Sequence, residues 1–263
     1  MRKVWLLMRK EWAEVFRNRL VLFTVGFLPL MLTALPLVVL SATRSSGDMS
    51  LVAASDMPSG FAEMCGGLTG GECAQYFFVS QFMLLFMIMP LVIPATIASY
   101  SIVGEKTTRT LEPLLATPVT TLELLAGKGL AAAIPAIVAT WGAFLVFAIG
   151  AAVMAISPGV LGRLTDPLWL LAIFAVGPLL AVMAVSAAVM VSSRVNDPRV
   201  AEQLAGLVIM PVMLVFFGQI TGLLYLNARL ILWIAVGLLV VDAGLLAFAT
   251  QLFQRETVLT RWK

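Results

Sequence analysis

Apolar and polar positions alternate along this chain on a long scale, with six extended apolar runs separated by shorter polar stretches. The runs cover residues 20–40, 77–103, 130–156, 168–191, 200–217 and 230–253. At ~1.5 Å rise per residue, runs of this length suit a hydrocarbon core ~30 Å thick, so each reads as a membrane-spanning helix. Pro29 and Pro36 should bend the first, and Pro90 and Pro94 lie in the second. Ahead of the first run, Val4, Trp5, Met8, Trp12, Val15 and Phe16 share one helical face, opposite Arg2, Lys3, Arg9, Lys10, Glu11, Glu14, Arg17 and Arg19. Residues 2–19 are therefore expected to form an amphipathic helix lying in the interface, with Glu11 on its wet side.

The polar stretches are unequal. Residues 41–76 form the longest, rich in Gly, Ser and acidic residues, and contain both Cys65 and Cys73. A disulfide between them is permitted if the loop lies outside the cytoplasm; two free thiols are the alternative. A short loop at 157–167 and a polar link at 192–199 follow. Residues 219–229 are too short for a span and too apolar for a solvated loop, which suggests a re-entrant or interface segment.

Composition reinforces this picture. The 263 residues are 61% hydrophobic and 12% charged, with a mean hydropathy of +1.02, which no soluble domain could conceal. The expected fold is all-α, a polytopic membrane domain of six spans with no large soluble domain. Fourteen of the seventeen basic residues fall in the N-terminal stretch, residues 104–128, the 192–199 link and the tail, leaving Arg44, Arg163 and Arg229 on the other side. The positive-inside rule then places both termini in the cytoplasm, as in a multi-pass protein of a prokaryotic inner membrane. The pI near 9.1 reflects this distribution beside the spans and gives no reason to expect nucleic acid. Histidine is absent and there are only two cysteines, so neither His-based catalysis nor a soft metal site is expected. Leu125-Ala126-Gly127-Lys128-Gly129 lacks the upstream glycine and the hydroxyl residue of a phosphate-binding loop. No resident cofactor is expected.

The stretch 104–128 is unlike its surroundings. It carries Glu105, Lys106, Arg109, Glu112, Glu123 and Lys128 between two apolar runs. Leu111, Leu114, Leu115 and Val119 recur at spacings of three and four, as on one side of a short helix. Thr107, Thr108 or Thr110 could cap its start, and Glu112 suits its first turns. Pro118 forbids one continuous helix, so two short helices with a bend are expected. Physical chemistry alone leaves two readings open, a helix resting on lipid and a docking element.

The run Gly104-Glu105-Lys106, Thr110-Leu111-Glu112, Leu114-Leu115, Thr117-Pro118-Val119 resembles the signature of ABC-2 type transporter permeases. The six-span layout is similar to the small sodium- or drug-exporter-like branch. That resemblance implies a permease subunit of an exporter, which catalyses nothing itself. A separate cytoplasmic ATPase would bind ATP and magnesium, and a second permease copy or homologue would complete the pathway. It also implies that Glu105, Thr110, Leu111, Glu112, Leu114, Leu115 and Pro118 belong to a coupling segment facing the ATPase.

One charge lies within a span. Asp242, near the middle of the sixth, would be costly there by about 2.5–3.5 kcal/mol. Either it serves a cation or proton, or it is a neutral or hydrogen-bonded carboxyl that fixes packing, which is the reading favoured here. A self-contained secondary transporter or channel using Asp242 is the alternative function.

Overall fold

The computed structural model describes residues 2–45, 68, 70–107, 119–155, 157–224 and 226–252. Among them all regular structure is helical, and six helices are long and apolar enough to cross a membrane. A separate helix, Arg2–Val15, precedes the spans. The first span is the helix Arg19–Ser45. The second joins Gly70–Leu85 and Met89–Thr107 through one 3-10 turn at Phe86–Ile88. Thr121–Met154 forms the third. The fourth is assembled from Pro158–Leu164, Pro167–Leu171, a π-helical turn at Ala172–Val176, and Gly177–Ser192. The fifth joins Pro198–Ala205 to Met210–Ile220 through a 3-10 turn at Gly206–Ile209, and the sixth is Ala228–Leu252.

The second span is the axis of the bundle. Its most apolar stretch is 78% buried, against 11% for the fifth. It packs on the third and fourth spans, while the first lies against the third and the sixth against the fourth. Met83, Phe86, Met89, Ile93 and Ile97 of the second span are fully covered, and the Phe86 ring meets Phe147 at 5.7 Å. The outer faces of the first, fifth and sixth spans keep Phe23, Leu214, Phe217, Trp233 and Val240 exposed, as apolar surface facing lipid can be.

Prolines inside these helices free backbone carbonyls, and two tryptophans take them up. Pro135 has no N–H for the carbonyl of Ala131 four residues earlier. The Trp12 indole donates to that oxygen instead, at 2.8 Å, tying the N-terminal helix to the third span. In the π-helical turn Gly177 N–H reaches back five residues to Ala172, so Ile173 would look to residue 178, a proline. There Trp141 Nε1 donates to the Ile173 carbonyl at 3.3 Å, joining the third span to the fourth.

Several helices run past the apolar limits read from the sequence. The second continues to Thr107, so Gly104, Glu105 and Lys106 are helical and project from its end. From Gly71 it extends over 37 residues, about 55 Å at ~1.5 Å per residue and longer than a hydrocarbon core is thick. Thr107 is the last residue of that helix, its hydroxyl donating to the Gly104 carbonyl at 2.9 Å. The third span begins at Thr121, where Thr120 and Glu123 form a reciprocal capping box of 3.2 and 2.9 Å. At 157–167, read as a loop, Ser157 and Asp166 each cap a short helix. The segment 219–229 holds a turn, with Gly222 at φ 74°, followed by a helix capped through Asn227 Oδ1. Glycine suits that left-handed position because it has no Cβ.

A buried charge cluster at the motif end of the bundle

Both feet of the 104–128 stretch stand at the same end of the bundle, against the N-terminal helix. Glu105 comes from the last turns of the second span and Lys128 from the third turn of the third span, and both are buried. Lys128 Nζ lies 2.8 Å from Glu105 Oε2 and 2.7 Å from Glu11 Oε1. Lys10 Nζ donates to Glu105 Oε1 at 2.6 Å and lies 3.6 Å from Glu14. Ser101, one turn before Glu105, donates to Glu11 and accepts from Lys128 at 2.8 Å. Burying charge is tolerable here because each lysine meets two or more carboxylates. Burial by itself would lower the Lys10 pKa, but the hydrogen bond and charge of Glu105, with Glu11 and Glu14 beyond, hold it above its ordinary value.

The buried side of the N-terminal helix keeps Met8 and Val15 of the expected apolar face, with Val4, Trp12 and Phe16 half-buried, but it adds Leu7 and Glu11 and leaves Trp5 exposed. Periodicity puts Glu11 on the wet face because the sequence does not reveal the lysine that meets it 117 residues later. Gly127 lets the helix approach, since a Cβ there would lie 2.8 Å from Leu7 Cβ. The fragment that imitates part of a phosphate-binding loop is thus a helix contact. Lys106 turns the other way, its Nζ donating to the carbonyls of Ser193 and Val195 at 3.3 and 3.2 Å, which caps the end of the fourth span. A cleft of about 440 Å³ opens beside the cluster, lined by Glu11, Glu14, Asn18, Ser101 and Glu105 among others.

Of the residues expected to couple, Glu105 lies inside the chain in this cluster. Thr110, Leu111, Glu112, Leu114, Leu115 and Pro118 lie outside the described residues, as does Cys65. Cys73 is disulfide-bonded, and Cys65 is the chain's one other cysteine. Asp242 is 4% exposed on the inward face of the sixth span, and neither of its carboxylate oxygens has a hydrogen bond among the described residues. The hydrogen-bonded form of the packing reading therefore finds no partner there. Among the described residues no three His, Cys, Asp or Glu side chains converge as metal ligands. A second, wholly apolar cavity of about 400 Å³ lies between the second, fourth, fifth and sixth spans, bordered by Met87, Trp169, Val215 and Leu238.

The family model for the ABC-2 family transporter protein matches residues 5–256. This chain belongs to the ABC-2 transporter family. Comparison with curated proteins finds no match. Membership makes it a permease component and not the catalytic ATPase, and the match takes in the N-terminal helix, the motif stretch and all six spans. Sequence reading missed Glu11, Lys10 and Lys128 as a cluster. It also missed the Thr120–Glu123 box, although the Thr-x-x-Glu spacing before an apolar run was a readable signal.

Proposed function

We propose that this chain is the transmembrane subunit of an ABC exporter in a prokaryotic inner membrane. It dimerises with a second copy or a homologous permease and is driven by a separate cytoplasmic ATPase that binds magnesium and ATP. The assignment to the sodium- or drug-exporter-like branch rests on the resemblance of the motif and span layout, and both termini are placed in the cytoplasm by the basic asymmetry. The observation that carries the proposal is the family match over residues 5–256, joined to the convergence of Glu105 and Lys128 at one end of the bundle. That convergence brings the start and the end of the motif stretch together where the second, third and fourth spans meet, so a push there reaches three spans. The exposed Leu207, Leu214 and Phe217 on the fifth span offer apolar surface to a second permease copy.

In this reading Leu111, Leu114 and Leu115 enter a groove on the ATPase, each worth about 1.5–3 kcal/mol if fully buried. Glu112 sets orientation by charge-assisted hydrogen bonds. Glu105 acts from within the permease, and a direct bond from it to the ATPase is set aside because its charge is already taken. Cys65 and Cys73 form a disulfide on the extracytoplasmic side, with Cys73 in the first turn of the second span's helix and not, as expected, in the loop before it. Leu115→Asp should weaken co-purification of the ATPase at least about tenfold, since a charge would enter an apolar contact. Glu112→Ala should leave assembly intact and reduce permease-dependent ATP hydrolysis. Pull-down and hydrolysis assays read both, and wild-type behaviour of both variants at normal expression would reduce the segment to a surface helix.

A further inference from the structure

The contacts at the motif end form a closed ring of alternating charge. Starting on the N-terminal helix, Glu11 meets Lys128 of the third span at 2.7 Å. Lys128 meets Glu105 of the second span at 2.8 Å, and Glu105 meets Lys10 at 2.6 Å, back on the N-terminal helix beside Glu11. Two carboxylates and two lysines cancel, which is what permits burial of Glu11, Glu105 and Lys128 to 6% exposure or less. Helices held by apolar contact alone can slide on one another. Opening one side of this ring would instead strand a buried charge. Two further contacts set the same helix in place, Leu7 against Gly127 and Trp12 on the Ala131 carbonyl.

We propose that Glu11 is a positioning residue that closes this ring, so that the N-terminal helix, the end of the second span and the start of the third move as one body during transport. This rests on the coupling reading above and adds the N-terminal helix to the part that moves. Glu11 touches neither nucleotide nor transported molecule; it holds Lys128 and, through it, Glu105. Glu11→Gln keeps the size and one acceptor but leaves the buried Lys128 sharing Glu105 with Lys10, whose other carboxylate, Glu14, is exposed.

The test uses the full permease assembled with its ATPase in liposomes, with Mg-ATP as the probe and hydrolysis above that of the isolated ATPase as readout. A cysteine pair, Leu7→Cys with Gly127→Cys, provides a covalent substitute for the ring. A Cβ at position 127 would lie 2.8 Å from Leu7 Cβ, so a slight separation brings the pair to the ~3.5–4.5 Å of a disulfide. In otherwise wild-type protein, oxidising this pair should leave permease-dependent hydrolysis within about twofold of the reduced form. Glu11→Gln should retain the ATPase in pull-down yet lose about tenfold in hydrolysis, within the usual range of a coupling energy. Oxidising the cysteine pair in that background should restore it. Loss of hydrolysis on cross-linking the otherwise wild-type protein would overturn the proposal, because the helix would then have to separate from the spans. Normal hydrolysis by Glu11→Gln would overturn it too. The cross-linking arm needs no ionic variant to fold. Leu115→Asp, run alongside, separates the two readings: if it keeps the ATPase bound, the docking assignment fails on its own.

Discussion

At the scale of single residues, a tryptophan and a proline far apart in sequence act as a pair. Ala131 is 1% exposed, and Pro135 deprives its carbonyl of the helical donor. Trp12 supplies that donor from another helix. Trp12→Phe keeps most of the ring but leaves the carbonyl orphaned, and should destabilise the protein by about 1–3 kcal/mol. Pro135→Ala returns an N–H to position 135, so Trp12→Phe made on that background should be clearly milder. Apparent melting temperatures of the four proteins in detergent check this, and an equal loss in both backgrounds would remove the hydrogen bond from the account. The lysines and carboxylates of the motif end follow the same logic, because each polar group is paired by a residue from a different element.

At the scale of elements, what fixes the N-terminal helix is its close approach to the third span. Gly127 is the contact point, where a methyl group would sit 2.8 Å from Leu7 Cβ and 3.1 Å from its Cδ1. Gly104, the glycine of the motif itself, has nothing within 4 Å of the same position. Gly127→Ala should therefore push the helix away and destabilise by about 1–3 kcal/mol, as overpacking does. Gly104→Ala should be neutral or stabilising by up to about 1 kcal/mol, since alanine is the better helix former. Thermal unfolding of both variants reads the difference, and Leu7→Ala should relieve the Gly127→Ala penalty. Equal effects at the two glycines would mean that helix propensity, and not contact, governs the region.

At the scale of the whole molecule, orientation is set by charge at the ends of the six helices. The proposed orientation, with the motif end in the cytoplasm, rests on fourteen basic residues against three. An impermeant thiol reagent applied to intact cells should leave Thr108→Cys unlabelled and label it only after the membrane is opened. Labelling of Thr108→Cys in intact cells would reverse the topology and take the docking assignment with it. The same view explains why the outer spans stay apolar on both sides while the second is enclosed. A helix surrounded by other helices buries its surface against protein, and a peripheral one against lipid or a partner.

The sequence by itself determined the class, the number of spans and the position of the motif. Runs of apolar residues must find hydrocarbon, and a period long enough to cross it is visible without any neighbour. It also held the capping signal at Thr120 and Glu123, a local pattern within one helical turn. It misplaced the ends of helices because hydropathy marks the edge of the apolar run, whereas hydrogen bonds and caps mark the edge of the helix. Thus Glu105 and Lys106 became part of a span's helix, and 157–167 became capped helical turns. The destination of the charges was settled by tertiary structure alone. A periodicity argument assigns a carboxylate such as Glu11 to water because water is its cheapest partner in isolation. Only the packed bundle brings Lys128 within 2.7 Å of it, across 117 residues of chain, and so makes a buried ring out of residues that looked like surface.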